Sequence, residues 1–163
     1  MRRFRFVLLL TLGVLLSTAQ AAADTPKSTV QVLALMSDKG FEQAQAMTIA
    51  LKRAVTRAEG WSLAKGDFSL EVMSAAMNCP NPPDDACLKK IQVKAGAKRF
   101  VWGVVEIQGK EAVAHLRLWE DNQNKRETTV RYAANLTDAS DDTLLQIAEN
   151  AFAQLSRAAQ GVL

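Results

Sequence analysis

The order of hydrophobic periods predicts an α+β fold, a mixed sheet of order β-α-β-α-α-β-β-β-α with helices packed mainly on one face. Three observations point there. Residues 79–107, CPNPPDDACLKKIQVKAGAKRFVWGVVEI, read as a proline-rich loop, a helix stopped by glycine, and the most apolar strand of the chain. Two segments of period-two alternation follow that strand. Two amphipathic helical patterns, after residue 40 and after residue 140, flank the whole.

The 163 residues suffice for one domain with a real core. Residues 1–23 are read as a cleaved export signal. Arg2, Arg3 and Arg5 form a basic start, Phe6 to Leu16 an apolar run, and Ala19, Ala21 and Ala23 supply small-residue cleavage positions. The apolar run is too short for a spanning helix, which needs about 20 residues, so no integral membrane segment is expected after cleavage. No cysteine lies beside the cleavage site, so no lipid anchor is expected there. Residues 24–28 are a tether, 29–157 the domain, and 158–163 a tail. The formal charge of +3 resides in the three signal arginines; removing them from 20 basic residues leaves 17 against 17 acidic ones. A near-neutral exported chain is not a nucleic-acid binder. The expected location is periplasmic or secreted.

The elements follow in order. Thr29 to Met36, TVQVLALM, is a buried first strand. Ser37 or Asp38 can cap a helix from Gly40 to Glu59, whose stripe runs Phe41, Ala44, Thr48, Leu51, Val55, Ala58. Trp61 begins a short second strand. Ser69 caps a short helix with Leu70, Met73, Ala76 and Met77 on its buried side. Pro80, Pro82 and Pro83 exclude helix from the next loop. Asp84 or Asp85 restarts one, carrying Ala86, Leu88, Ile91, Val93 and Ala95 to a stop at Gly96. Lys98 to Ile107 is the central strand, Gln108-Gly109-Lys110 a hairpin turn, and Glu111 to Glu120 an alternating strand. DNQNK, 121–125, turns the chain into a strand from Arg126 to Asn135. Ser140 starts the last helix, with Leu144, Leu145, Ile147, Ala148, Ala151, Phe152 and Leu155 inward.

Cys79 and Cys87 are the only cysteines. An even count, a short separation and an oxidising address predict a bridge between them. The spacing is not that of a C-x-x-C redox pair, and one His offers little to a metal. The bridge therefore reads as a structural staple, and neither metal nor cofactor is expected. The adjacent Asp84 and Asp85 read as a helix cap rather than an acid/base dyad, because neighbouring side chains do not face each other.

No nucleophile elbow, phosphate loop, zinc helix or dinucleotide fingerprint occurs. His115 is the only imidazole and lies mid-strand with no nucleophile in local pattern. An enzyme is not expected; a hydrolase using His115 is the lesser alternative. The candidate binding face gathers Phe100, Trp102, His115, Arg117, Trp119 and Arg131, because Trp and Arg concentrate binding energy. Exposed, it could take an envelope polymer or small ligand; covered by a second layer, its indoles would be core.

The pattern Cys79, Asp84-Asp85-Ala86-Cys87-Leu88, then Gly96-Ala97-Lys98-Arg99-Phe100-Val101-Trp102-Gly103 resembles small exported modules of the cell envelope. The β-α-β start and strand-hairpin-helix finish are similar to the N-terminal domain of TolB, a plan shared with penicillin-binding-protein activators and curli-assembly factors. The nearer likeness is to exported domains of myxobacterial type. The resemblance covers residues 29–157. It implies no catalytic residues; it implies an accessory module that binds an envelope protein, in an oligomeric state the sequence leaves open.

Overall fold

Five strands and four helices form in the computed structural model, which describes residues 27–157. The signal, most of the tether and the tail lie outside the described residues. The strands are β1 (Ser28–Val32), β2 (Trp61–Leu63), β3 (Arg99–Gln108), β4 (Glu111–Glu120) and β5 (Gln123–Ala133). The helices are α1 (Phe41–Arg57), α2 (Leu70–Ala76), α3 (Asp85–Ala95) and α4 (Asp142–Ser156). The class is α+β and the element order is the predicted one. The sheet runs β2-β1-β3-β4-β5, with β2 and β3 parallel to β1 and the other neighbours antiparallel. The apolar run of β3 holds the middle place.

Local chemistry sets several boundaries. Ser69 accepts from the Val72 amide to start α2, and Asp84 accepts from the Cys87 amide at 2.8 Å to start α3. Gly96, in the left-handed region at φ 64°, ends α3. Ser37 Oγ accepts from the Gly40 amide at 2.8 Å, but the first helical turn of α1 has no side-chain cap. Asp121 and Asn122 both adopt positive φ and make a two-residue hairpin turn. β5 consequently begins at Gln123, three residues earlier than the DNQNK reading allowed. β1 is shorter than expected. After Val32 the chain alternates between neighbours: the Ala34 amide reaches Phe68 O and the Met36 amide reaches Gly103 O.

The sheet has two covered faces. On one, α1 and α4 pack over Val30, Val32, Val101, Val105, Leu116, Leu118 and Tyr132. On the other, α2 and α3 pack over Leu33, Phe100, Trp102 and Trp119. The two longest helices do share a face, but a second, smaller layer exists, tied by the Cys79–Cys87 bridge. Four residues assigned to buried stripes are outside: Phe41, 74% exposed at the first position of α1, Ala76 on α2, and Ala86 and Val93 on α3, Val93 being 83% exposed.

Candidate functional site

β3 and β4 present Phe100, Trp102, His115, Arg117 and Trp119 to the second face, as alternation requires. The structure divides this set. Phe100 and Trp119 are fully buried and stack at 6.0 Å, and Trp102 is 2% exposed. Both indole N–H groups are engaged. Trp119 Nε1 donates to Gln92 Oε1 of α3 at 2.6 Å, and Trp102 Nε1 donates to Asn124 Oδ1 at 2.9 Å. Asn124 Nδ2 in turn donates to Asp85 Oδ1 at 3.3 Å. Buried indoles need such partners, and α3 with the first, turn-proximal residues of β5 supplies them. The exposed aromatic-basic face is thereby corrected: its three rings are core. An envelope-polymer or small-ligand reading that needs exposed Trp102 and Trp119 loses them.

His115, Arg117 and Arg131 remain at the surface, beyond the reach of α2 and α3. The Arg117 guanidinium lies 4.9 Å from the centroid of the Trp102 ring and donates to Glu127 Oε2 at 3.4 Å. Arg131 donates to Gln108 Oε1 at 3.2 Å and pairs with Glu111 at 3.5 Å. His115 Nδ1 sits 3.1 Å from Thr129 Oγ1, directly across the β4–β5 ladder. A hydroxyl beside an imidazole is a nucleophile-base pair in composition, but among the described residues no carboxylate bonds the ring to orient it. The pair also lies on a sheet face rather than in a cleft. A cleft of about 400 Å³ between the ends of α1 and α4 is lined by Arg57, Trp61, Glu149 and Phe152, and one of about 350 Å³ by Lys27, Gln31, Lys98 and Arg99. Neither contains His115 or Thr129. Among the described residues, no group of three His, Cys, Asp or Glu side chains is placed to hold a metal ion.

The feature that composition hid is the edge at β5. Among the described residues, no strand lies on its outer side. The phase of its ladder is fixed by the Ala134 amide, which donates to Lys110 O on the β4 side at 2.8 Å. Successive residues of a strand direct their main-chain groups to opposite sides. Residues 126, 128, 130 and 132 therefore bond β4, whereas Glu127, Thr129 and Arg131 turn their N–H and C=O groups outward. The side chains of these three are exposed on the second face. Arg126 is instead tied back to Leu155 O at 2.9 Å, and Tyr132 Oη donates to Gln43 O of α1 at 3.3 Å. A polar residue on both faces of Arg126–Asn135 was the available sign of an edge strand.

No family model matches the chain, and no curated protein matches it. Solved structures do. The C-terminal domain of LpoB from Salmonella enterica is similar at 12% identity and TM-score 0.43, over 70% of this chain and 88% of that one. Lipoprotein GNA1162 from Neisseria meningitidis is similar at 11% identity and TM-score 0.47, over 80% and 98%. TolB from Acinetobacter baumannii is similar at 11% identity and TM-score 0.48, over 80% of this chain but 28% of TolB. TolB is also a protein whose plan the sequence pattern resembles. Likeness at these identities transfers no function. Among the described residues, no helix is long and apolar enough to cross a membrane.

Proposed function

We propose that this chain is an exported, non-catalytic accessory module of the cell envelope that receives a protein partner along the outer edge of β5. The observation that carries the reading is the row of unpaired main-chain groups at Glu127, Thr129 and Arg131, the arrangement to which an added strand bonds. The charged and polar side chains of the same residues give such a partner something to read on the open face. The apparent signal at residues 1–23 and the neutral balance of the remaining chain support an envelope protein as the partner rather than nucleic acid.

The test is a single substitution. Thr129→Pro removes one outward N–H and leaves the β4 ladder intact, since Thr129 directs no main-chain group to β4; an outward edge position tolerates proline. The mature chain 24–163 and its Thr129→Pro variant are immobilised and exposed to solubilised envelope from the source organism. With far-ultraviolet circular dichroism unchanged, the variant is expected to lose a protein that the parent captures saturably. Equal capture by both chains overturns the edge as the docking site.

A further inference from the structure

The edge of β5 is complementary to itself, and we infer that the partner it takes is a second copy of this chain, paired antiparallel about a two-fold axis at Thr129. This rests on the reading of β5 as a docking edge and adds the identity of the occupant and its register. In a two-fold antiparallel pair, opposed residues share a face, so the axis must pass through a residue of the strand. The side chains then decide which residue. An axis at Glu127 or at Arg131 sets like charges against each other. An axis at Thr128 opposes Arg131 to Lys125, and one at Val130 opposes Arg131 to Thr129 and Glu127 to Ala133. With the axis at Thr129, each Arg131 faces Glu127 of the second copy, twice by symmetry.

That same axis opposes residues whose main-chain groups already point outward. Thr129 exchanges its N–H and C=O with Thr129 of the second copy, and Glu127 does so with Arg131. On the helix-covered side, half-buried Thr128 meets half-buried Val130. The ion pairs within each copy are prolonged rather than broken. Arg117 holds Glu127 at 3.4 Å and Arg131 holds Glu111 at 3.5 Å. Across the seam the sequence becomes Arg117, Glu127, then Arg131 and Glu111 of the second copy, alternating in sign throughout. Charge on an edge strand ordinarily discourages pairing; here the signs disfavour the registers centred at Glu127, Thr128 and Arg131, and the one centred at Thr129 gains two Arg131–Glu127 pairs. The product is a continuous sheet running through both copies.

Analytical ultracentrifugation of the mature chain 24–163, from micromolar to submillimolar concentration, reads the assembly directly. A concentration-dependent dimer that weakens with added salt is expected. Glu127→Arg sets arginine against arginine at both seam positions, and Arg131→Glu sets glutamate against glutamate, so each variant alone should self-associate about 10-fold or more weakly. Mixed, the two variants are complementary at both seams and should form a heterodimer at close to parental strength. Circular dichroism confirms that both remain folded. A parent chain that stays monomeric, or a dimer insensitive to both substitutions, overturns the self-pairing. The edge itself is judged separately: capture lost on Thr129→Pro with a monomeric parent keeps the docking edge and assigns it to another protein.

Discussion

Gly103 in the central strand sits against β4 so closely that a Cβ there would fall on the His115 carbonyl oxygen and within 3.2 Å of Leu116 Cα. Both obstacles are backbone, so no side-chain rotation relieves them. Gly103→Ala should therefore lower unfolding free energy by about 1–3 kcal/mol, the range for an overpacked interior, read as a lower urea midpoint at unchanged slope. Tyr132 makes a second prediction at this scale. It is the single tyrosine, 5% exposed beneath the helix layer where it bonds Gln43 of α1, and burial pushes its phenol up to about 12. The unfolded phenol ionises near 10, so above that pH the unfolded state has lost a proton that the folded state retains. Stability contributed by the neutral phenol is complete below pH about 10 and declines as pH rises through about 12, by roughly 2–3 kcal/mol. Tyr132→Phe should remove that alkaline loss, and the phenolate absorbance of the folded parent, uncontaminated by other tyrosines, should rise late.

At the scale of elements, the second layer depends on a short segment. α2 has seven residues and α3 eleven, too few to hold helix in isolation. They are fixed by Leu70, Leu88 and Ile91 against Phe100 and Trp119, and by the covalent bridge between them. Replacing Cys79 and Cys87 together by alanine should cost about 2–3 kcal/mol by the chain-entropy estimate for so short a loop. The prolines within it lower the gain, so the lower end is expected. Tryptophan fluorescence should shift to the red at lower denaturant than the far-ultraviolet signal changes, because Trp102 and Trp119 lie beneath this layer. The caps at Ser69, Asp84 and Gly96 and the Gln108–Lys110 turn were legible in sequence, since each acts within a few residues. The burial of the two indoles was not. Period-two alternation puts Trp102, Arg117 and Trp119 on one face, but whether a face is covered depends on where α2 and α3 return to the sheet. Arg117 beside Trp102 looks the same in sequence whether the ring beneath is exposed or sealed.

At the scale of the molecule, the sheet has a covered centre and unequal margins. β2, at one edge, has three residues, which limits the pairing it can offer; β5, at the other, has eleven. The sequence showed β5 as an alternating strand, but its place at an edge is a property of strand order, which no local pattern carries. Hydrogen exchange tests that place residue by residue. In dilute solution the amides of residues 126, 128, 130 and 132 should be protected by β4, whereas those of 127, 129 and 131 should exchange quickly although they lie within a regular strand. A uniform protection pattern along β5 would mean that the edge is occupied even in dilute solution, and uniformly fast exchange that the strand itself is frayed. Raising the protein concentration adds the decisive comparison. If two copies pair at Thr129, the three odd-numbered amides should slow together while the even-numbered set is unchanged. Slowing confined to α2 and α3 would place association on the opposite half of the face, away from β5.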